Sequence, residues 1–241
     1  MDATYQDLAK TIDHSLLNPT LTGPELEAGI GVALAYEVAS VCILPFALPH
    51  LVRALEGSTV FASTTIGFPH GVVPPEAKLF EAKWSLDHGA QELDMVVNIS
   101  HVRTRQWSEV RDEIVALTEL THAAGQRIKV IFENAYLTDE EKLSLCSICG
   151  EAGVDWVKTS TGYGPSGATL DDVRLMRANT PASVQVKGAG GIRDLDSMLA
   201  YRAAGVTRIG ATATAKILED ARVRLGLPPI TGAAVAPIAG Y

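Results

Sequence analysis

Thr11-Ile12-Asp13-His14-Ser15-Leu16 holds the chain's first strand candidate, and its reading separates two folds. The β-branched start predicts a strand centred on Thr11–Asp13. An open doubly wound sheet would usually follow its first strand with a Gly-x-Gly-x-x-Gly turn. Here Asp13-His14-Ser15-Leu16 occupies that place without a glycine. Outward from this point, short β-branched runs alternate with longer helical patterns. Further strands are predicted at Val38–Leu44, Val60–Ile66, Leu93–Asn98, Ile128–Glu133, Trp156–Thr159, Val184–Lys187 and Arg208–Gly210. Eight β-α units in 241 residues predict an α/β fold, a TIM (β/α)8 barrel, which needs roughly 250 residues.

The intervening segments carry helix-start chemistry. Thr22-Gly-Pro-Glu25 and Thr138-Asp-Glu-Glu141 read as capping boxes, and Pro74-Pro75-Glu76 opens another helix. Thr169 or Asp171 caps a helix through Val173 and Met176, and Asp194 the next. Gly89, Gly125, Gly153 and Gly205 suit left-handed helix ends. No linker or low-complexity stretch divides the chain, so residues 1–241 read as a single domain. Gly226 to Tyr241, rich in Pro, Ala and Gly, reads as a mobile tail.

Composition narrows the function classes. Hydrophobic residues make up 47% and charged residues 20%, which fits a globular enzyme rather than a disordered chain. The net charge of -8, with no basic run to offset it, argues against a nucleic-acid partner. No apolar stretch approaches the ~20 residues that span a bilayer, and the polar N-terminus lacks a signal core, so no membrane partner and a cytoplasmic location are expected. The three cysteines leave one unpaired and form no disulfide framework. Cys146 and Cys149 form a C-x-x-C, but inside a helical pattern and with no second pair, which reads as helix packing.

Strand parity assigns the barrel interior, because successive side chains point to opposite faces. Val184 and Val186 share the apolar, helix-facing side, which turns Lys187 inward. The same rule sends Val157 out and Trp156, Lys158 and Ser160 in. It also places Asp94, Val96 and Asn98, Cys42, and Lys129 and Glu133 inside. Charges there are too costly to be casual filling. A buried Lys187–Asp94 ion pair would account for two of them and leave Lys158 unexplained.

Carbonyl chemistry explains Lys158. An amine attacks a carbonyl only when neutral, whereas an ordinary lysine, with a pKa of about 10.4, is protonated at pH 7. Burial and a neighbouring lysine both disfavour the charged form. Lys158 is therefore the expected Schiff-base nucleophile, with Lys187 depressing its proton affinity and Asp94 moving protons as carbinolamine and imine interconvert. No cofactor or metal is required. The six histidines are scattered and show no metal-binding spacing.

Gly188-Ala189-Gly190-Gly191-Ile192-Arg193 and Gly210-Ala211-Thr212 follow strands seven and eight, where barrels often hold phosphate. Glycine lets backbone N–H groups approach an anion, and Ser160-Thr161-Gly162 adds further donors. Tight turns alone would also select such glycines, but three adjacent loops favour the phosphate reading.

Two stretches, Val157-Lys158-Thr159-Ser160-Thr161-Gly162 and Val186-Lys187-Gly188-Ala189-Gly190-Gly191-Ile192-Arg193, resemble the lysine motifs of the deoxyribose-phosphate aldolases. Ile12–Leu17, Gly67–Gly71 and Glu92–Asn98 also look like segments of that family, and the resemblance runs in order from about Ile12 to Thr212. It implies a class I, metal-independent lyase that reversibly cleaves 2-deoxy-D-ribose 5-phosphate to D-glyceraldehyde 3-phosphate and acetaldehyde. The catalytic set it implies is Lys158, Lys187 and Asp94. Its substrate and phosphate contacts would be Asp13, Cys42, Gly162, Gly190, Gly191, Gly210 and Thr212, although Cys42 reads equally as an inert small hydrophobe. Tyr241 resembles a C-terminal tyrosine that assists proton transfer in some members; a disordered terminus is the plainer reading. Ala213 and Tyr163 depart from the family, which commonly has a second small hydroxyl residue at the one and sometimes a lysine at the other. Both departures fall at the phosphate end. They motivate two alternatives, a Schiff-base aldolase for a related or unphosphorylated aldehyde and a non-catalytic barrel that binds sugar phosphate. A homo-oligomer is compatible with the sequence.

Overall fold

The structure, a computed structural model, describes residues 3–230. Its elements in chain order are α1 (Tyr5–Ala9), β1 (Ile12–Leu16), α2 (Gly23–Ala35), β2 (Ser40–Ile43), α3 (Leu48–Ala54), β3 (Phe61–Ile66), α4 (Pro75–Asp87), β4 (Glu92–Val96), α5 (Ile99–Arg103) and α6 (Trp107–Ala123). There follow β5 (Arg127–Ile131), α7 (Asp139–Ala152), β6 (Trp156–Lys158), α8 (Leu170–Ala178), β7 (Gln185–Ala189), α9 (Leu195–Ala203), β8 (Arg208–Ala211) and α10 (Thr214–Arg224). The strands are parallel and close in chain order, with β8 returning to β1. This is the expected TIM barrel.

Local chemistry sets the helix ends. The Glu141 carboxylate accepts from the Thr138 N–H at 2.7 Å, and the Thr138 hydroxyl accepts from the Glu141 N–H, completing one capping box. Glu25 accepts from the Thr22 N–H in the same way at 2.7 Å. Thr169 caps α8 through the Asp172 N–H, and Asp194 caps α9 through the Ser197 N–H. Cys146 and Cys149 are free and buried on α7, where burial raises both thiols above their ordinary pKa. They are packing residues.

The strands depart from the sequence reading at their ends. β1 covers Ile12–Leu16, extending beyond the predicted centre at Thr11–Asp13. Its His14 faces outward, where Nδ1 meets the Thr214 hydroxyl at 2.8 Å, while burial lowers the ring pKa to about 4 and keeps it neutral. β5 stops at Ile131, short of Glu133, which takes the left-handed conformation at φ 57°.

Parity gives the barrel two cores. Val41, Ile43, Met95, Val97, Val157, Val184 and Val186 join one apolar layer between strands and helices. Inside the barrel the register aligns charged residues. Asp94 is level with Lys129 across β4 and β5, Lys158 with Lys187 across β6 and β7, and Lys187 with Arg208 across β7 and β8. Side chains in register on parallel strands point to the same face, so these rows converge on the barrel axis.

Candidate active site

Four cations and three carboxylates occupy the middle of the barrel. Lys129, Lys187, Asp13, Glu92 and Asp94 are at most 1% exposed, Lys158 is 2% exposed and Arg208 7%. Asp94 is the hub. Its Oδ2 accepts from Lys158 Nζ and Lys187 Nζ, each at 2.8 Å, and its Oδ1 accepts from Lys129 Nζ at 2.9 Å. Lys187 also reaches Asp13 Oδ2 at 2.6 Å, and Lys129 reaches Glu92 at 2.5 Å. Arg208 forks between Asp13 and Glu92, donating to Glu92 Oε1 at 3.0 Å.

This pairing is unequal, and the inequality selects one amine. Lys187 and Lys129 each contact more than one carboxylate, whereas Lys158 contacts Asp94 alone. Cations outnumber carboxylates here, since Arg127 also pairs with Glu92 at 3.0 Å, so the cluster favours the loss of a proton from an amine. The proton leaves most readily from the poorest-paired amine. Burial pushes the Lys158 pKa down, Asp94 pulls it back only in part, and Lys187 pushes it down further; the net direction is down. For Lys187 burial acts the same way, but Asp13 and Asp94 outweigh it and the net direction is up. Burial likewise opposes ionisation of Asp94, yet the three lysines overcome it and hold the carboxyl well below the usual range.

Of these seven residues only Lys158 lines the cavity at the barrel mouth, which encloses about 270 Å³. Its walls are the loops after β1, β6, β7 and β8, and include Gly162, Gly190, Gly191, Gly210 and Thr212. Two loops interlock to build it. The Ala168 N–H donates to the Ala189 carbonyl at 2.9 Å, and a Cβ on Gly167 would lie 2.3 Å from the Gly190 carbonyl oxygen. Only glycine permits that approach. Glu133 supports the β6 loop from beneath: its carboxylate accepts from both the N–H and the hydroxyl of Thr161.

A model described as "DeoC/LacD family aldolase" matches residues 8–227. The chain belongs to this aldolase family. A deoxyribose-phosphate aldolase of Rhodopirellula baltica is 58% identical over 95% of both chains. One from Thermococcus gammatolerans is 41% identical over 90% of this chain and 97% of the other. Among solved structures, the tetrameric deoxyribose phosphate aldolase of Aeropyrum pernix superposes with a TM-score of 0.83 at 31% identity, covering 91% of this chain and 92% of that one.

In this aldolase, a lyase, the expected catalytic trio meets around one carboxylate, and all five expected loop residues line the cavity. Asp13 and Cys42 lie deeper, as Asp94 and Lys187 do. Neither lines the cavity, and both have no accessible surface. Asp13 sits among Lys187, Lys129 and Arg208 as a counter-ion. Cys42 is buried beside the charged centre; burial first, then Asp94, raises its pKa, so it stays a thiol. Tyr241 lies outside the described residues.

Glu92, Arg208 and Ser166 were given no role by the sequence, and Arg193 was named only as the end of a Gly-rich stretch. Arg208 carries an inward-facing parity signal that nothing distinguished from the ordinary start of a strand. Arg193 and Ser166 line the same cavity and supply a guanidinium and a hydroxyl near its rim. Arg193 ends the Gly-rich stretch after β7.

Proposed function

We propose that this aldolase cleaves 2-deoxy-D-ribose 5-phosphate to D-glyceraldehyde 3-phosphate and acetaldehyde through a Schiff base on Lys158. One observation carries the reading: Lys158 is the least-paired lysine of the buried charge cluster and its only member at the cavity surface. The neutral amine adds to the C1 aldehyde of the open-chain sugar to give a carbinolamine. Lys187, held protonated by Asp13 and Asp94, supplies the proton with which the hydroxyl leaves as water. Loss of the C3 hydroxyl proton then breaks the C2–C3 bond, and the protonated imine accepts the electron pair as an enamine. Protonation at C2 and hydrolysis release acetaldehyde and restore the amine. Asp94 passes protons between Lys187 and the reacting atoms, since its Oδ2 touches both lysines.

The phosphate is placed against Gly190, Gly191, Gly210 and Thr212, with Arg193 and Ser166 supplying part of what Ala213 and Tyr163 lack. Asp13 and Cys42 support the centre from below rather than touch substrate. Borohydride trapping with acetaldehyde should add the reduced two-carbon adduct to the Lys158 peptide. Full turnover in Lys158→Ala would exclude the mechanism.

The protein is further proposed to be a homo-oligomer in the cytoplasm. The A. pernix relative is tetrameric. The three free cysteines suit a reducing compartment, and among the described residues no helix is long and apolar enough to cross a membrane. Light scattering on the purified protein tests the assembly.

A further inference from the structure

The barrel mouth carries a second hollow beside the catalytic cavity. This recess of about 560 Å³ is lined by Phe46, Phe68, Phe80 and Trp84, and it is largely apolar. Tyr163 stands between the two. Its hydroxyl donates to the Leu17 carbonyl at 2.8 Å, and Leu17 belongs to the wall of the catalytic cavity. Its ring meets Phe68, a wall residue of the recess, edge to face at 5.5 Å and 86°. Gly162 and Gly164, its chain neighbours, line the catalytic cavity.

These contacts join three sides of the mouth through one side chain. Leu17 follows β1, Phe68 follows β3 and Tyr163 follows β6. The backbone beneath the ring is held as well. The Tyr163 N–H donates to Thr161 Oγ1 at 2.9 Å, and the Thr161 hydroxyl donates in turn to buried Glu133. Glu133 itself takes φ 57°, a conformation that a non-glycine residue adopts only when its surroundings impose it. The ring is therefore set in place before any substrate arrives.

We propose that Tyr163 is a specificity-determining residue, a partition that confines the acceptor aldehyde to the polar cavity and closes off the apolar recess. The inference rests on the aldolase reading above. A short, hydrophilic acceptor needs only the polar cavity. An acceptor with an extended apolar group would gain by burying that group among Phe46, Phe68 and Phe80, and the Tyr163–Leu17 tether denies it the passage. Opening the partition shifts acceptor preference while the imine chemistry at Lys158 continues.

The experiment measures kcat/KM in the synthetic direction, with acetaldehyde as donor and either D-glyceraldehyde 3-phosphate or 3-phenylpropanal as acceptor. It compares the unaltered enzyme with Tyr163→Phe and Tyr163→Ala. Tyr163→Ala should raise the preference ratio for 3-phenylpropanal by at least about tenfold, the scale of admitting a few carbons to an apolar pocket. Tyr163→Phe, which keeps the ring and loses the tether, should move the ratio by about fivefold or less, the scale of one neutral hydrogen bond. A merely structural role would lower both acceptors together. An unchanged ratio in Tyr163→Ala, with borohydride trapping at Lys158 intact, overturns the partition. Absence of trapping in the unaltered enzyme would instead overturn the aldolase reading, and the partition with it.

Discussion

Replacing Lys187 by methionine removes a positive charge while keeping an unbranched side chain of similar length. Lys158 and Lys187 both donate to Asp94 Oδ2 at 2.8 Å, so their nitrogens lie no more than about 5.6 Å apart. At an effective dielectric of about 20, two unit charges at that separation repel by about 3 kcal/mol. This is worth a factor on the order of a hundred in the fraction of Lys158 that is neutral. The sign follows directly: without Lys187, protonated Lys158 is easier to hold, and Asp94 becomes free to pair with it more strongly. Imine formation at pH 7 should fall by up to that factor, and the deficit should shrink as the pH is raised. Timed borohydride quenches with acetaldehyde between pH 6 and 10, read as adduct on the Lys158 peptide, give the rate directly. Asp13 keeps Arg208 and Lys129 in the variant, but losing one partner from a buried pair costs about 3–5 kcal/mol. A urea titration therefore checks that the variant is folded under assay conditions. An Lys187→Met rate equal to the unaltered enzyme at pH 7, with the same pH dependence, would refute the account of how Lys158 is made nucleophilic.

Asp94→Asn should slow both trapping at Lys158 and steady-state cleavage, the latter by about 10²–10⁴-fold, as proton transfer between carbinolamine and imine is lost. Turnover within tenfold of normal would remove Asp94 from the mechanism. Glu133→Ala frees the Thr161 N–H and hydroxyl, and should raise KM for the phosphorylated sugar more than it lowers kcat. Glu133→Gln, which retains an acceptor oxygen, should restore most of the difference. In the pH dependence of stability, His14 is neutral in the fold with a pKa lowered to about 4 by burial. The unfolded chain therefore binds more protons between about pH 6.5 and 4. Stability should decline over that window by about 3 kcal/mol, and His14→Gln should lack this component in urea midpoints measured across it. Below that window Asp13 and Asp94 act, because their pKa values are depressed in the fold. Their stabilisation is complete above the unfolded carboxylate range and is lost as the pH falls further.

Periodicity, capping residues and strand parity are local properties, and they carried the fold a long way. A β-branched run of a few residues has an inside and an outside set by the pleat alone, so the sequence by itself turns Lys158, Lys187 and Asp94 inward. Thr138 and Glu141 hold each other across one helical turn, and so were legible as a pair. The ends of β1 and β5 were less legible, because the signals there come from elsewhere. His14 is accommodated by Thr214, which lies 200 positions away, and Glu133 by Thr161.

What local pattern could not supply was the identity of each charge's partner. Asp94 meets Lys158 across 64 positions and Lys187 across 93, and Asp13 meets Arg208 across 195. Electrostatic energy depends on separation in space, which barrel closure determines and sequence spacing does not. The sequence therefore determined which side chains enter the barrel. Only the tertiary structure decided that Asp13 pairs with Lys187 and Arg208, that Arg208 belongs to the centre, and that Lys158 is the amine left short of a carboxylate and open to the cavity.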